Sequence, residues 1–333
     1  ALHNAAYGAS DLFHYTLGGV PVSQYRPVGD DVRRRPTREE GVPFLDVVER
    51  ACARHRPDVV LTYGGPPVGP HLIRRVRRHG ARVVFALHNA AYGASDLFRE
   101  VDAVWAPSEF GRRLYRERLG REVAAVPWPW DRARAVVDLP PTGRFVTFVN
   151  PTPAKGAAWF ARIALEVSRR RPDVPFLVVE GRGGAGWLRR LPVDLSGLTN
   201  VRGMHSTPLP KKFYALSRAV LMPSLAEETF GRVAAEALAN GLPVLVTRRG
   251  ALPELLDGAG FAFDIPDRYA ANHMAVPSAE EVAPWVAAIE RLWDDPDFYA
   301  EHRSRALERS RAWEPDRLRP GIEAFFRRVA AGG

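Results

Sequence analysis

Residues 222–247 read MPSLAEETFGRVAAEALANGLPVLVT. The apolar run that ends in Met222 and Pro223 reads as a strand, and PVLVT, 243–247, reads as another. Between them Thr229 is a good N-cap, Phe230 and Gly231 would open a helix of about three turns, and Gly241 with Pro243 supplies the stop signal. A strand, a helix and a strand in this order make a βα unit of a parallel sheet.

The start of that helix points from the edge where open α/β sheets bind ligands. The unpaired N–H groups of Phe230, Gly231 and Arg232 would form an anion site, and Gly231 would let a phosphate approach the backbone. Glu228 and Glu236 flank this site. A carboxylate beside a phosphate is repelled, so the two acids address something uncharged and hydroxyl-rich, such as the sugar and the ribose of a nucleotide sugar. The competing reading makes Glu228 a companion of the positive helix end and Glu236 an ordinary surface residue.

The same alternation extends in both directions. FLDVVERACARH, DVVLTY, HLIRRVRR, RVVFAL, VDAVWA and EFGRRLYRERL form one series, and RFVTFV, AAWFARIALEVSRR, PFLVVE and FYALSRAVLMP lead into the second. VPWPWDRARAVVDLPPTG, 126–143, is Pro-rich and weakly periodic and marks the boundary between them. The 333 residues exceed one ordinary core, so two doubly wound α/β domains are expected.

Lys and Arg total 47 against 38 Asp and Glu, a net charge of +9 that suggests anionic ligands. The charge is scattered, with local clusters at Arg33–Arg35 and in HLIRRVRRHG. There Arg74, Arg75, Arg77 and Arg78 surround Ile73 and Val76, as on a solvated helix face; peripheral membrane contact is the minority reading. No zinc-finger spacing or RNA-binding motif accompanies the charge, so no nucleic-acid partner is expected. No signal peptide or membrane-length apolar run is present, and the expected location is cytoplasmic. The single cysteine, Cys52, has no internal partner for a disulfide and reads as a small apolar residue.

Glu228-x7-Glu236 within EETFGRVAAE, followed by EALANGLPVLVTRRGALPEL, resembles the signature of the family-4 retaining glycosyltransferases (glycosyl transferases group 1) of GT-B fold. TFVNPTPAKGAAWF resembles the family's first C-terminal-domain strand and Lys-Gly loop. VDAVWAPSEFGRRLY resembles the end of its N-terminal domain, and VVFALHN the strand that delivers a histidine to the donor sugar. The resemblance covers most of residues 45–315. It implies two Rossmann-like domains facing a central cleft, with C-terminal helices packing across. The expected divisions are 1–141 on the acceptor side, with its first strand unit missing or replaced, 142–305 for the nucleotide sugar, and 306–333 crossing back.

By the same resemblance Lys155 would neutralise the donor diphosphate, Glu228 would bond the sugar's hydroxyls, Glu236 would hold the ribose and His88 would sit beside the transferring sugar. Thr229, Phe230, Gly231 and Arg232 complete the expected donor site. Lys155 has separate support: RFVTFV ends in a Pro-rich turn that places the ammonium at a strand's C-terminal edge, and lysine is rare in this arginine-rich chain. Asn150 departs from the family, which usually has an arginine there as a second phosphate clamp. A neutral amide cannot offset charge on a departing diphosphate, which makes Arg182 and Arg232 the candidate substitutes. Asn89, Trp128 and Trp130 are candidate acceptor-side residues, although Trp at a domain junction more commonly packs.

The resemblance implies a retaining, metal-independent transfer of a sugar from a nucleotide sugar to a small-molecule, glycan or lipid-linked acceptor hydroxyl. Domain closure would assemble the site, and no cofactor beyond the donor is expected. A catalytically impaired sugar-nucleotide binding module and a nucleotide-sugar epimerase of GT-B architecture are the alternatives. GRGGAG, 181–186, fits the dinucleotide pattern G-x-G-x-x-G, but WLRRLPVD breaks at Pro192 and no acid follows at the right distance, so a loop is expected. DDPD, 294–297, contains the Asp-x-Asp of metal-dependent transferases, yet its proline sits between two helical runs and reads as a capped turn. No phosphate loop of NTPases and no nucleophile elbow occurs.

ALHNAAYGASDLF occurs identically at 1–13 and 86–98. Only the second copy follows a strand, so His88 rather than His3 emerges at a ligand-binding edge. Identity over the whole repeat shows no divergence, as recent duplication, artificial joining or an error in the recorded sequence would leave it. Before GGVPVSQYRP, 18–27, the family's opening strand, Gly-rich loop and helix have no clear counterpart. Gly18 and Gly19 are read as a remnant of that loop, or the segment as a second strand with the first unit lost.

Overall fold

The computed structural model describes residues 11–17, 19–26, 38–93, 96–181, 183–195 and 197–332. The elements in chain order are β1 (Asp11–Leu17), β2 (Val20–Arg26), α1 (Arg38–His55), β3 (Val59–Thr62), α2 (Gly69–Arg78), β4 (Arg82–Ala86), β5 (Ala103–Ala106), α3 (Glu109–Leu119) and β6 (Ala124–Ala125). They continue with α4 (Arg132–Ala135), β7 (Phe145–Val149), α5 (Ala157–Arg170), β8 (Phe176–Val179), β9 (Val201–Met204), α6 (Lys211–Tyr214), β10 (Ser217–Met222), α7 (Arg232–Ala239) and β11 (Val244–Thr247). The last are α8 (Leu252–Leu256), β12 (Phe261–Phe263), α9 (Arg268–Ala271), α10 (Ala279–Asp294), α11 (Pro296–Ser310) and α12 (Pro315–Ala331).

Two compact units result: residues 1–105, 115–124 and 322–333 form the first, and 106–114 with 125–321 the second. In the first, β3, β4, β5 and β6 form a sheet in that order, with β3–β4 and β4–β5 parallel. Leu72, Ile73 and Val76 of α2 are buried, while Arg74, Arg77 and Arg78 are exposed. That is the amphipathic division expected of HLIRRVRR. Phe325 and Phe326, near the end of α12, meet Trp105 of β5 at ring distances of 5.7 and 5.5 Å. Cys52 is buried in α1, where burial raises its thiol pKa.

GGVPVSQYRP does not join this sheet. Val20–Arg26 instead pairs antiparallel with Asp11–Leu17 in a separate two-stranded hairpin. Gly19 supplies the left-handed turn at φ 81°. His3 and the rest of 1–10 lie outside the described residues, as do Gly18, Arg33–Arg35 and Arg182.

The second unit holds a six-stranded sheet of order β12-β11-β10-β7-β8-β9, all of whose pairs are parallel. Its central strands are apolar at nearly every position because helices cover both faces. Val146 and Phe148 of β7 join the core that includes α5 and α10, and the intervening Thr147 is fully buried and bonds Ser217 Oγ at 2.7 Å. Phe148 stacks on Phe160 of α5 at 4.6 Å, and Trp159 lies edge-on to Tyr269 at 5.2 Å. On the other face α7 packs with α8 and α11. DDPD forms a helix junction as expected: Asp295 caps α11 by accepting from Phe298 N at 2.9 Å, and Asp294 pairs with Arg171.

The indole N–H of Trp159 is buried with no hydrogen-bond partner among the described residues. Much of this residue's contribution is therefore packing area. Trp159→Ala is expected to cost about 3–5 kcal/mol, and Trp159→Phe, which also removes the unbonded N–H, only about 1–2 kcal/mol. Urea denaturation of the two variants checks the difference.

Candidate functional site

The donor-site candidates gather where the C-terminal ends of β7 and β10 lie side by side. Beyond β7 the chain turns through Pro153–Lys155 into Gly156, whose φ is 83°. The Ala154 carbonyl accepts the N–H groups of Leu225 at 3.0 Å and Ala226 at 3.1 Å, joining this turn to the segment after β10. A Cβ on Gly156 would stand 1.9 Å from the Pro223 carbonyl oxygen, so the approach requires glycine for space as well as for dihedral angle.

The turn delivers Lys155 to Glu228. Its Nζ is ion-paired with Glu228 Oε1, which also accepts from Ser224 Oγ at 2.9 Å. The lysine side chain is 33% exposed and the glutamate 14%, so the pair is neither freely solvated nor sealed. The Glu228 backbone is fixed from behind: its carbonyl accepts Ala251 N at 2.7 Å, and Gly250, at φ 61°, passes so close that a Cβ would lie 2.3 Å from that oxygen. Ser224 and Gly250 were not singled out in the sequence, though RRGALPEL carries the glycine in plain view. Gly250 signals a backbone contact rather than chemistry.

Thr229 is not the N-cap. Gly231, left-handed at φ 93°, occupies that position without a side-chain cap, and α7 begins at Arg232 and runs only eight residues. The reason is tertiary: the Thr229 carbonyl accepts the buried Ser108 hydroxyl at 2.7 Å, which holds the segment extended until Gly231 reverses it. The Gly231 carbonyl then takes Ala234 N and Ala235 N at 2.9 and 3.1 Å. The N–H groups of Phe230 through Val233 have no partner among the described residues, which leaves the start of α7 open.

Glu236 is not an ordinary surface acid. It is 6% exposed, its Oε2 accepts the Tyr214 hydroxyl at 3.0 Å, and Arg232 Nε stands 3.5 Å from Oε1. Burial raises its pKa, against the opposing influence of Arg232 and Tyr214. Tyr214 was missed because FYALSRAV reads as an apolar run, in which a phenol is one more core ring.

Asn150 is also left-handed, at φ 63°, and its Oδ1 accepts Gly183 N at 2.8 Å. Its carboxamide organises the GRGGAG loop, which leads into a 3₁₀ turn at Ala185–Arg190 and opens no α-helix. The candidate clamp Arg182 lies outside the described residues. Arg232 projects outward, its side chain 76% exposed.

His88 and Asn89 belong to the first unit and follow β4. The imidazole meets Tyr63 edge-on at 4.7 Å, and burial lowers its pKa. Asn89 Oδ1 accepts Ala91 N at 2.8 Å, and its carbonyl accepts the Tyr115 hydroxyl. Trp128 and Trp130 are half-buried before α4, and the Arg132 guanidinium lies 5.3 Å from the Trp130 ring centre. Among the described residues no three His, Cys, Asp or Glu side chains form a metal-binding group.

With that geometry in view, the likenesses to known proteins are consistent. Residues 142–295 match the model of the family Glycosyl transferases group 1. Over those residues the chain is similar to that family. A phosphatidyl-myo-inositol mannosyltransferase of Mycolicibacterium smegmatis is 27% identical over 235 residues, covering 68% of this chain and 58% of that protein. A D-inositol 3-phosphate glycosyltransferase of Rhodococcus erythropolis is 31% identical over 212 residues, covering 60% and 45%. The chain thus spans about half the length of these relatives. Sucrose-phosphate synthase from Thermosynechococcus elongatus superposes with a TM-score of 0.69 at 16% identity, covering 93% of this chain and 84% of that one. Anabaena HepE in complex with UDP and glucose gives 0.65 at 18% identity, covering 85% and 81%. The fold is GT-B.

Two measurements test this geometry. Gly156→Ala is expected to lower stability by about 2–4 kcal/mol, from left-handed strain plus displacement of the Pro223 carbonyl, read by urea denaturation. The second concerns Glu236, whose folded pKa lies above its unfolded value. As pH rises from the unfolded pKa through the folded one, the unfolded chain loses the proton first and wild-type stability falls. Glu236→Gln removes that titration, so the melting temperature of the variant relative to wild type should be higher at pH 7 than at pH 4.

Proposed function

We propose that this chain is a retaining glycosyltransferase that moves a sugar from a nucleotide sugar to an acceptor hydroxyl without a metal ion. The supporting observation is the ion pair of Lys155 with Glu228, set at one sheet edge beside the open N–H groups that begin α7. In this reading the diphosphate lies against Lys155 and the helix start, whose positive potential offsets charge on the leaving group. Glu228 accepts hydrogen bonds from sugar hydroxyls and Glu236 from the ribose. His88, kept neutral by its lowered pKa, can give or accept one hydrogen bond with the transferring sugar.

The transfer breaks the bond from the anomeric carbon to phosphate oxygen and forms one to the acceptor oxygen on the same face. The acceptor's proton passes to the departing phosphate, and a nucleoside diphosphate leaves. Arg232 is the candidate second cation in place of the arginine that Asn150 replaces. UDP-sugars are the first donors to screen, because a similar fold has been solved with UDP and glucose. Inositol-type hydroxyls are the first acceptors, because two relatives are named for them.

Asn150 favours one second reading, a binding module with impaired turnover, since its amide is engaged with Gly183 and carries no charge. Thermal-shift screening of UDP-, GDP- and dTDP-sugars, followed by product analysis by NMR, separates the two. Transfer with the anomer retained is expected, and an inverted product would refute the mechanism. Lys155→Ala should lower kcat by about 10²–10³-fold, as loss of one charged transition-state contact does. Full turnover in that variant would refute the role of the ammonium, and donor binding without product would favour the module.

A further inference from the structure

Glu236 is held on two sides. Inward, Tyr214 Oη lies 3.0 Å from Oε2; outward, Arg232 Nε lies 3.5 Å from Oε1 on a side chain that is 76% exposed. Tyr214 is wholly buried, and desolvation together with the neighbouring Glu236 raises its pKa far above the usual phenol value. It is therefore a neutral hydroxyl with one proton to give. That proton faces two acceptors, the carboxylate and the Val233 carbonyl at 3.1 Å in the first turn of α7. The tyrosine thus references the Glu236 carboxylate to the helix that carries it.

A terminal carboxylate otherwise turns in a broad, roughly two-fold well. Tethering Oε2 removes that freedom and leaves Oε1 on the side of the exposed Arg232. One fixed acceptor oxygen, with only a solvent-exposed arginine beside it, discriminates between a ligand that offers a hydroxyl and one that does not, because in the second case it loses a hydrogen bond made to a charged group. We infer that Tyr214 is a positioning residue that aims Glu236 Oε1 at a ribose hydroxyl, and that the site thereby selects ribonucleoside over deoxyribonucleoside diphosphates. The inference rests on the donor reading above.

The test is calorimetric titration of the intact chain with UDP or GDP, whichever raises its melting temperature more, with the 2′-deoxy and 3′-deoxy analogues of that nucleotide, and with pyrophosphate. Wild type should bind at least one deoxy analogue about 10-fold more weakly than the ribonucleotide, a charge-assisted hydrogen bond's effect. In Tyr214→Phe that ratio should fall below about 2-fold while pyrophosphate affinity is unchanged. A purely structural tyrosine would weaken all ligands together and leave the ratio intact, which overturns the inference. Glu236→Gln, which retains an oxygen for Tyr214 but loses the charge, should also lower the ratio, and covers the case of an unstable phenylalanine variant. Wild-type binding without deoxy discrimination overturns the inference alone; no nucleotide binding overturns the donor reading with it.

Discussion

The ion pair between Lys155 and Glu228 depends on backbone more than on charge. Two opposite charges at a partly exposed edge attract only modestly, and each loses side-chain freedom in meeting. What brings them together is the joining of two loops, with the Ala154 carbonyl bonded to Leu225 and Ala226, and Gly156 passing against Pro223. Parallel pairing of β7 and β10 sets the loops adjacent, and left-handed glycines let them close without a Cβ between them. The electrostatics of the site are thus a consequence of strand order and of where glycine stands.

The same reasoning explains the organisation behind Glu228. Gly250 passes within reach of its backbone, Ala251 bonds its carbonyl, and Ser108 bonds the next carbonyl along. Two separate segments therefore constrain residues 228–229 before α7 begins. A carboxylate on so constrained a backbone has little to lose on binding, which is the physical content of preorganisation. Asn150 contributes in another way. Its left-handed backbone and bond to Gly183 shape the neighbouring loop, so the position serves geometry where an arginine would serve charge.

Much of this was legible in the sequence, and the exceptions share a cause. The βα rhythm gave nearly every long element, because a 3.6-residue or continuous apolar pattern survives without knowledge of neighbours. β9, whose VRGM carries a glycine and an arginine, and the short β12 lacked that pattern and were not anticipated. Thr229 failed as a cap because a serine more than a hundred residues away claims its carbonyl. Ser224 and Tyr214 escaped notice for the same reason, since each acquires its meaning from one partner that folding supplies. The repeat shows the limit most directly. DLF is strand at 11–13 and a 3₁₀ turn at 96–98, so the same three residues take the structure that their surroundings impose.

That dependence bears on the two acids themselves. Seven residues separate Glu228 from Glu236, a spacing that on one continuous helix would set the two carboxylates about 80° apart around the axis. They do not share a helix here: Glu228 precedes the Gly231 reversal and Glu236 lies inside α7. Glu228 consequently meets a lysine and a serine at the sheet edge, while Glu236 sinks toward a tyrosine. One acid is balanced by a cation and the other by a neutral hydroxyl and a solvent-facing arginine, so the two stand in different electrostatic surroundings. The reversal at Gly231, together with the Ser108 and Ala251 bonds that hold residues 228 and 229 outside the helix, creates that difference.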